Sequence, residues 1–199
     1  MKHWKPAVIA ALWSGALYAA PMPVVASFSI LGDVAQQIGG ERVAVQSLVG
    51  ANQDAHAYNL TSSDIKKIRE ARLVLLNGLG LEKAELQRAV KQSKVASAEA
   101  TAGIKPLAAD EHHHEHNHGH DHDHGEFDPH VWNDPVLMQR YAANVAIALI
   151  KADPAGSRYY QQRFKDYQNV LNQLNNYANQ QFGAVAPAKR KVLTGHDSF

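Results

Sequence analysis

Three short runs rich in aliphatic and β-branched residues, "VVASFSI" (24–30), "VAVQSLV" (43–49) and "RLVLLNG" (72–78), alternate with two helical segments. The first helical segment, "LGDVAQQIGG", closes on Gly39-Gly40, and the second, "SSDIKKIREA", opens on a Ser/Asp cap ahead of Ile65 and Ile68. Strand, helix, strand, helix, strand on this scale leads to one architecture. Neighbouring parallel strands need a crossover of a dozen or more residues, and a helix supplies it. The expected fold class is α/β, a parallel sheet covered by helices.

Further along, "LEKAELQRAVKQ" (81–92) supplies another helix, and residues 108–125 are too polar and too charged to pack, so they read as a disordered surface loop. Beyond it, "DPVLMQRYAANVAIALIKADP" (134–154) is a long helix. Asp134 caps it, Asp153-Pro154 stops it, and Val136, Leu137, Tyr141, Val145, Ile147, Leu149 and Ile150 form a broad apolar face. A second helix follows at 155–183, with Tyr160, Phe164, Tyr167, Leu171, Leu174 and Tyr177 at spacings of three and four and Gly183 at its end. The last segment, "KRKVLTGHDSF", reads as a short strand (192–194) and a loop that open a second domain.

The amino terminus has a basic lead, "MKHWK", and an apolar run, "PAVIAALWSGALYAA", shorter than the ~20 residues that span a bilayer. Residues 1–20 therefore read as a cleaved signal peptide, and the mature chain is expected in the periplasm. Cysteine is absent, which leaves no disulfide framework, no thiolate metal site and no lipid-bearing cysteine, so the exported protein is expected not to be lipidated. With 20 Lys and Arg against 19 Asp and Glu, charge points to neither nucleic acid nor an anionic membrane as partner. Any bound metal has to be held by nitrogen and oxygen.

Of twelve histidines, eight fall in one run: His112, His113, His114, His116, His118, His120, His122 and His124. Their interleaving with Asp, Glu, Asn and Gly is unlike an affinity tag. A mobile collector fits better: imidazoles are mostly neutral at pH 7 and can bind zinc weakly without fixed geometry, although a solvated linker is the plainer alternative. Three other histidines stand isolated, each at a predicted strand end or helix start: His56 in "NQDAHAY", His130 in "FDPHVW" and His196 in "TGHDSF". Ligands of α/β sheets bind in the crevice beyond the carboxyl ends of the strands. Three neutral imidazoles would fill three of the four tetrahedral positions of zinc at ~2.0–2.1 Å. Asp54, Asp128 and Asp197 lie one or two residues from these histidines, and a carboxylate can orient a ligating ring by accepting its second N–H.

The stretch from "VVASFSILGDVAQQIGG" to "LVLLNGLGLE", a His/Asp-rich insert, "DPHVWNDP" and "VLTGHDSF" together resemble the ZnuA-type substrate-binding proteins of zinc and manganese ABC transporters. The resemblance implies two α/β lobes joined by a long rigid helix. The amino-terminal lobe would be residues 21–152, the linking segment 153–186 with its helix near 157–182, and residues 187–199 the start of an incomplete second lobe. It implies a metal in the cleft, held by His56 and His130 from the first lobe and His196 from the second, with a later acidic ligand beyond this sequence. A third histidine, where manganese-preferring members often place a carboxylate, points to Zn(2+), with Mn(2+) as the alternative, in line with ligand softness. The expected partner is the ABC permease in the inner membrane, and the expected state is a monomer. Two rival functions are a metal-storage or adhesin-like protein without a transporter and, less well matched, a zinc hydrolase. No HExxH or comparable pairing supplies the hydrolase's base.

Overall fold

A computed structural model describes residues 20–105 and 127–191. Four strands, β1 (Met22–Phe28), β2 (Val43–Val49), β3 (Leu73–Leu76) and β4 (Ala96–Glu99), form one sheet in the order β2-β1-β3-β4. Every pairing is parallel: Met22 lies opposite Val43, Val24 opposite Leu73, and Leu73 opposite Ala96. Five α-helices lie among the described residues: α1 (Ser29–Gly39), α2 (Ser62–Glu70), α3 (Ala84–Ser93), α4 (Pro135–Ala152) and α5 (Ser157–Gly183).

Side chains alternate across the sheet with period two. Val24, Ala26, Phe28, Leu73 and Leu75 enter a core shared with α1, α4 and α5. Val25, Val74 and Leu76 enter a second core closed by Ile68 of α2 and Leu86 and Val90 of α3. Burial on both faces explains why these strands read as continuous apolar runs.

Several local expectations shift. β1 runs from Met22 to Phe28, so Ser29 and Ile30, expected in the strand, open α1. The cap of α2 is Thr61, ahead of the expected Ser/Asp cap. Asp64 N donates to Thr61 Oγ1 (3.2 Å) and Thr61 N donates to Asp64 Oδ2 (3.0 Å), a reciprocal box that satisfies two helix-end donors. β4 has no signature in the sequence. Its sequence, "ASAE", has no β-branched or aromatic residue, and it is an edge strand held by backbone pairing to β3.

Asp134 caps α4 by accepting Val136 N at 2.7 Å, and the helix stops at Ala152. Its inward face differs from the expected one. Met138, Tyr141, Ala142, Val145, Ala146, Ala148 and Leu149 are buried, whereas Val136 is 54% and Ile147 60% exposed. The alanines, which a hydrophobicity pattern undervalues, are where the helix packs against its neighbours. In α5, Tyr160 and Leu171 are buried and Phe164 and Tyr167 pack on the core, but Leu174 and Tyr177 are exposed. At 1.5 Å per residue the helix is about 40 Å long, roughly twice the length of a seven-residue strand, so its far end overruns the sheet. Its near end is fastened by Asp153, which accepts from Arg42 Nη2 and from Tyr160 OH, each at 2.7 Å.

Among the described residues no helix is long and apolar enough to cross a membrane. Residues 1–19 of the expected signal segment, the histidine run, the strand at 192–194, His196 and Asp197 lie outside the described residues.

Candidate metal centre

The parallel strands place their carboxyl ends on one edge of the sheet. The chain steps from β1 outward to β2, then crosses back to β3 on the other side of β1, so the crevice at the reversal of strand order lies at the ends of β1 and β3. Two loops meet there.

The first loop, between β2 and α2, carries His56. Asp54 Oδ1 accepts the backbone N–H of His56 at 2.8 Å, an aspartate turn that fixes the main chain at this residue. Tyr58 OH donates to Asp64 Oδ2 (2.8 Å), and Lys83 Nζ donates to Ala57 O (3.0 Å) and Asn59 Oδ1 (3.1 Å). The loop is thus tied to the start of α2 and to the segment before α3.

The second segment leads into α4 and carries His130, whose side chain is 8% exposed. Asp128 Oδ1 accepts the backbone N–H of His130 at 2.9 Å and lies 2.6 Å from its Nδ1. That contact puts the proton on Nδ1 and leaves the lone pair on Nε2. Trp132 packs edge-on to the His130 ring (centroids 5.1 Å apart) and contacts Phe28 at the end of β1 (4.8 Å).

The loops bring the two Nε2 atoms to 3.1 Å from each other, with ring centroids 5.2 Å apart. Two nitrogens bound at ~2.0–2.1 Å to one tetrahedral ion stand about 3.3 Å apart, so a transition-metal ion fits this pair after a displacement of a few tenths of an ångström. Among the described residues no group of three or more His, Cys, Asp or Glu side chains is arranged to hold a metal. His196, the expected third donor, lies outside the described residues.

Three supporting residues escaped the sequence reading. Trp132 was visible only as a neighbour of His130. Asn77 read as a turn signal, yet it is buried and donates through Nδ2 to Pro129 O at 3.2 Å. Glu82, expected within a helix at 81–92, precedes α3 and is buried. Its Oε1 accepts Asn77 N (2.6 Å) and its Oε2 accepts Gly78 N (3.0 Å), so both oxygens are held by the turn after β3. Beside the His56 loop lies a pocket of about 310 Å³, lined by Ser27, Tyr58, Leu60, Leu81 and Leu86 among others. The buried Ser27 hydroxyl has no hydrogen-bond partner among the described residues.

Comparison with known proteins adds the following. The family model for zinc-uptake complex component A, periplasmic (ZnuA), matches residues 24–199. The manganese ABC transporter substrate-binding lipoprotein PsaA of Streptococcus anginosus is 30% identical over 178 residues, 89% of this chain and 57% of the relative. The Mn-bound periplasmic metal binding protein of candidatus Liberibacter asiaticus is similar in structure, with a TM-score of 0.73 and 31% identity, over 85% of this chain and 60% of that one. Zn(II)-bound AdcA of Streptococcus pneumoniae, at 20% identity, shares the fold, with a TM-score of 0.70 over 82% of this chain and 33% of its own. The chain spans a little over half the length of PsaA and of the Liberibacter protein. These names correct one expectation, that the exported protein is not lipidated: relatives such as PsaA are named lipoproteins. The expectation rested on the lack of one residue type in this sequence, which is weak ground against a family with lipoproteins among its members.

Proposed function

The chain belongs to the ZnuA family of periplasmic zinc-uptake components, and from that premise we propose that it captures Zn(2+) outside the inner membrane and hands it to an ABC-type importer. The observation that carries this reading is the pair of Nε2 atoms of His56 and His130, 3.1 Å apart on one sheet edge. His56 and His130 ligate the ion. Asp128 holds the His130 ring in the ligating tautomer, and Asp54 fixes the main chain at His56. His196, with Asp197 beside it, completes a three-histidine set, and further donors come from sequence of the length the relatives have. Imidazole nitrogen suits zinc, which favours zinc as cargo.

Manganese is the second reading, favoured by the names of PsaA and of the Mn-bound neighbour. A hydrolase has little support, since the family is a transporter component and the carboxylate of Glu82, buried near the site, is engaged by two backbone N–H groups. The run from His112 to His124 serves as a weak collector that raises the local zinc concentration beside the site. Parallel uptake assays with Zn(2+) and Mn(2+) in cells carrying the protein and its importer test the assignment, because nitrogen and oxygen sites bind zinc more tightly than manganese whatever their cargo. Zinc uptake supports it; manganese uptake in its place makes manganese the cargo.

A further inference from the structure

Below His130, at the carboxyl end of β3, Asn77 is fully buried and bonded in every direction. Tyr141 OH donates to its Oδ1 (3.0 Å), and its Nδ2 donates to Gly78 O (3.0 Å) and Pro129 O (3.2 Å). Its backbone N–H donates to Glu82 Oε1, and its backbone carbonyl accepts from Thr101 Oγ1 (2.5 Å) and Thr101 N (3.1 Å). We propose that Asn77 is a positioning residue for the metal centre, its side-chain amide setting the place of His130 by holding the carbonyl of Pro129. This rests on His130 being a ligand.

The amide has one orientation that satisfies its neighbours. Gly78 O and Pro129 O can only accept, so Nδ2 must face them, and Oδ1 is left to the Tyr141 hydroxyl, which donates to it. Proline has no N–H, so at Pro129 the carbonyl is the backbone group through which the turn can be gripped. Asp128 fixes His130 from one side through N–H and Nδ1, and Asn77 fixes the preceding residue to β3 from below. Three consecutive residues are thereby registered to the sheet. Metal–ligand distances tolerate only about ±0.2 Å, so the register of this turn sets how well Nε2 can ligate.

A purely structural role is separated from a positioning role by Thr101. Its hydroxyl belongs to the same buried network but bonds the main chain of Asn77, not the amide. The experiment compares Asn77→Ser, Tyr141→Phe and Thr101→Val in the full chain. It reads the thermal midpoint, the imidazole nitrogen and Nδ1–H resonances of His130 without metal, and the tight class of zinc binding against a competing chelator. Expected are displaced or broadened His130 resonances and a loss of about 10- to 100-fold in tight affinity for Asn77→Ser, and a smaller loss for Tyr141→Phe. Thr101→Val should lower the midpoint yet keep the wild-type resonances and affinity. If Asn77→Ser does not fold, Tyr141→Phe decides. Wild-type His130 resonances in the amide-perturbing variants, or parallel losses in all three, overturn the proposal. Should the unaltered chain bind no zinc tightly, the ligand reading fails, and the metal-free resonances still report whether Asn77 places His130.

Discussion

A ligating histidine needs one ring nitrogen without a proton and held in place, and in the proposed site Asp128 would supply both conditions at His130. Its Oδ1 accepts the backbone N–H and faces Nδ1, so one carboxylate sets the main chain and the tautomer. Replacing it with the isosteric amide in Asp128→Asn should cost about 10- to 100-fold in zinc affinity by calorimetry with the fold unchanged. Unchanged affinity would reduce Asp128 to a turn former. Under the His56 loop, Asp64 offers a pH test. Burial alone would raise its carboxyl, but hydrogen bonds from Thr61, Tyr58 and Lys67 outweigh that and hold it at about 2, against an ordinary 3.8. A pKa lowered by folding contributes stability that is complete above the ordinary value and lost as pH falls through the folded one. The size is about 2 kcal/mol, so the urea midpoint should drop between about pH 4 and pH 2, and the drop should flatten in Asp64→Asn. A midpoint flat across that window would contradict the carboxylate's place in the cap. At this scale the sequence displayed His56 and His130 because each stands alone beside an aspartate. Asn77 stayed hidden, since an Asn-Gly pair after a strand signals a turn and says nothing of a side chain reaching Pro129, 52 residues away.

Among the elements, those with strong period were legible and those formed by context were not. Continuous apolar runs revealed β1 and β3, because each is buried on both faces, and alternation with period two revealed β2. β4 exists because β3 offers it a backbone edge, which leaves no mark on "ASAE". α4 and α5 were visible as helices, but period alone could not say which part of an apolar stripe meets a neighbour. Leu171 is buried and Leu174, one turn on, is 49% exposed. Leu171→Ala should therefore cost about 2–5 kcal/mol in chemical denaturation and Leu174→Ala within about 0.5 kcal/mol. Equal costs would mean that the far half of α5 is packed as tightly as the near half in this chain. Removing the cap of α2 in Thr61→Ala should cost about 1 kcal/mol and loosen the loop that carries His56.

For the whole molecule, α5 carries Val170, Leu174, Tyr177 and Phe182 exposed, and the chain spans 57% of a relative such as PsaA. The two-lobed reading assigns that stripe to contact with a second lobe. Joining the chain to sequence of the relatives' full length should raise hydrogen-exchange protection over residues 170–182, and unchanged protection would leave α5 a free spoke. The central claim, that His56 and His130 form the core of a specific metal site distinct from the histidine run, is tested most directly by zinc competition titrations. Four chains suffice: the unaltered one, one lacking residues 111–124, and the same deletion carrying His56→Ala or His130→Ala. The deletion should lower the number of zinc ions bound while keeping a tight class, and either alanine should abolish that class. Tight binding that disappears with the run, or that persists when either histidine is replaced, would contradict a site built on this pair.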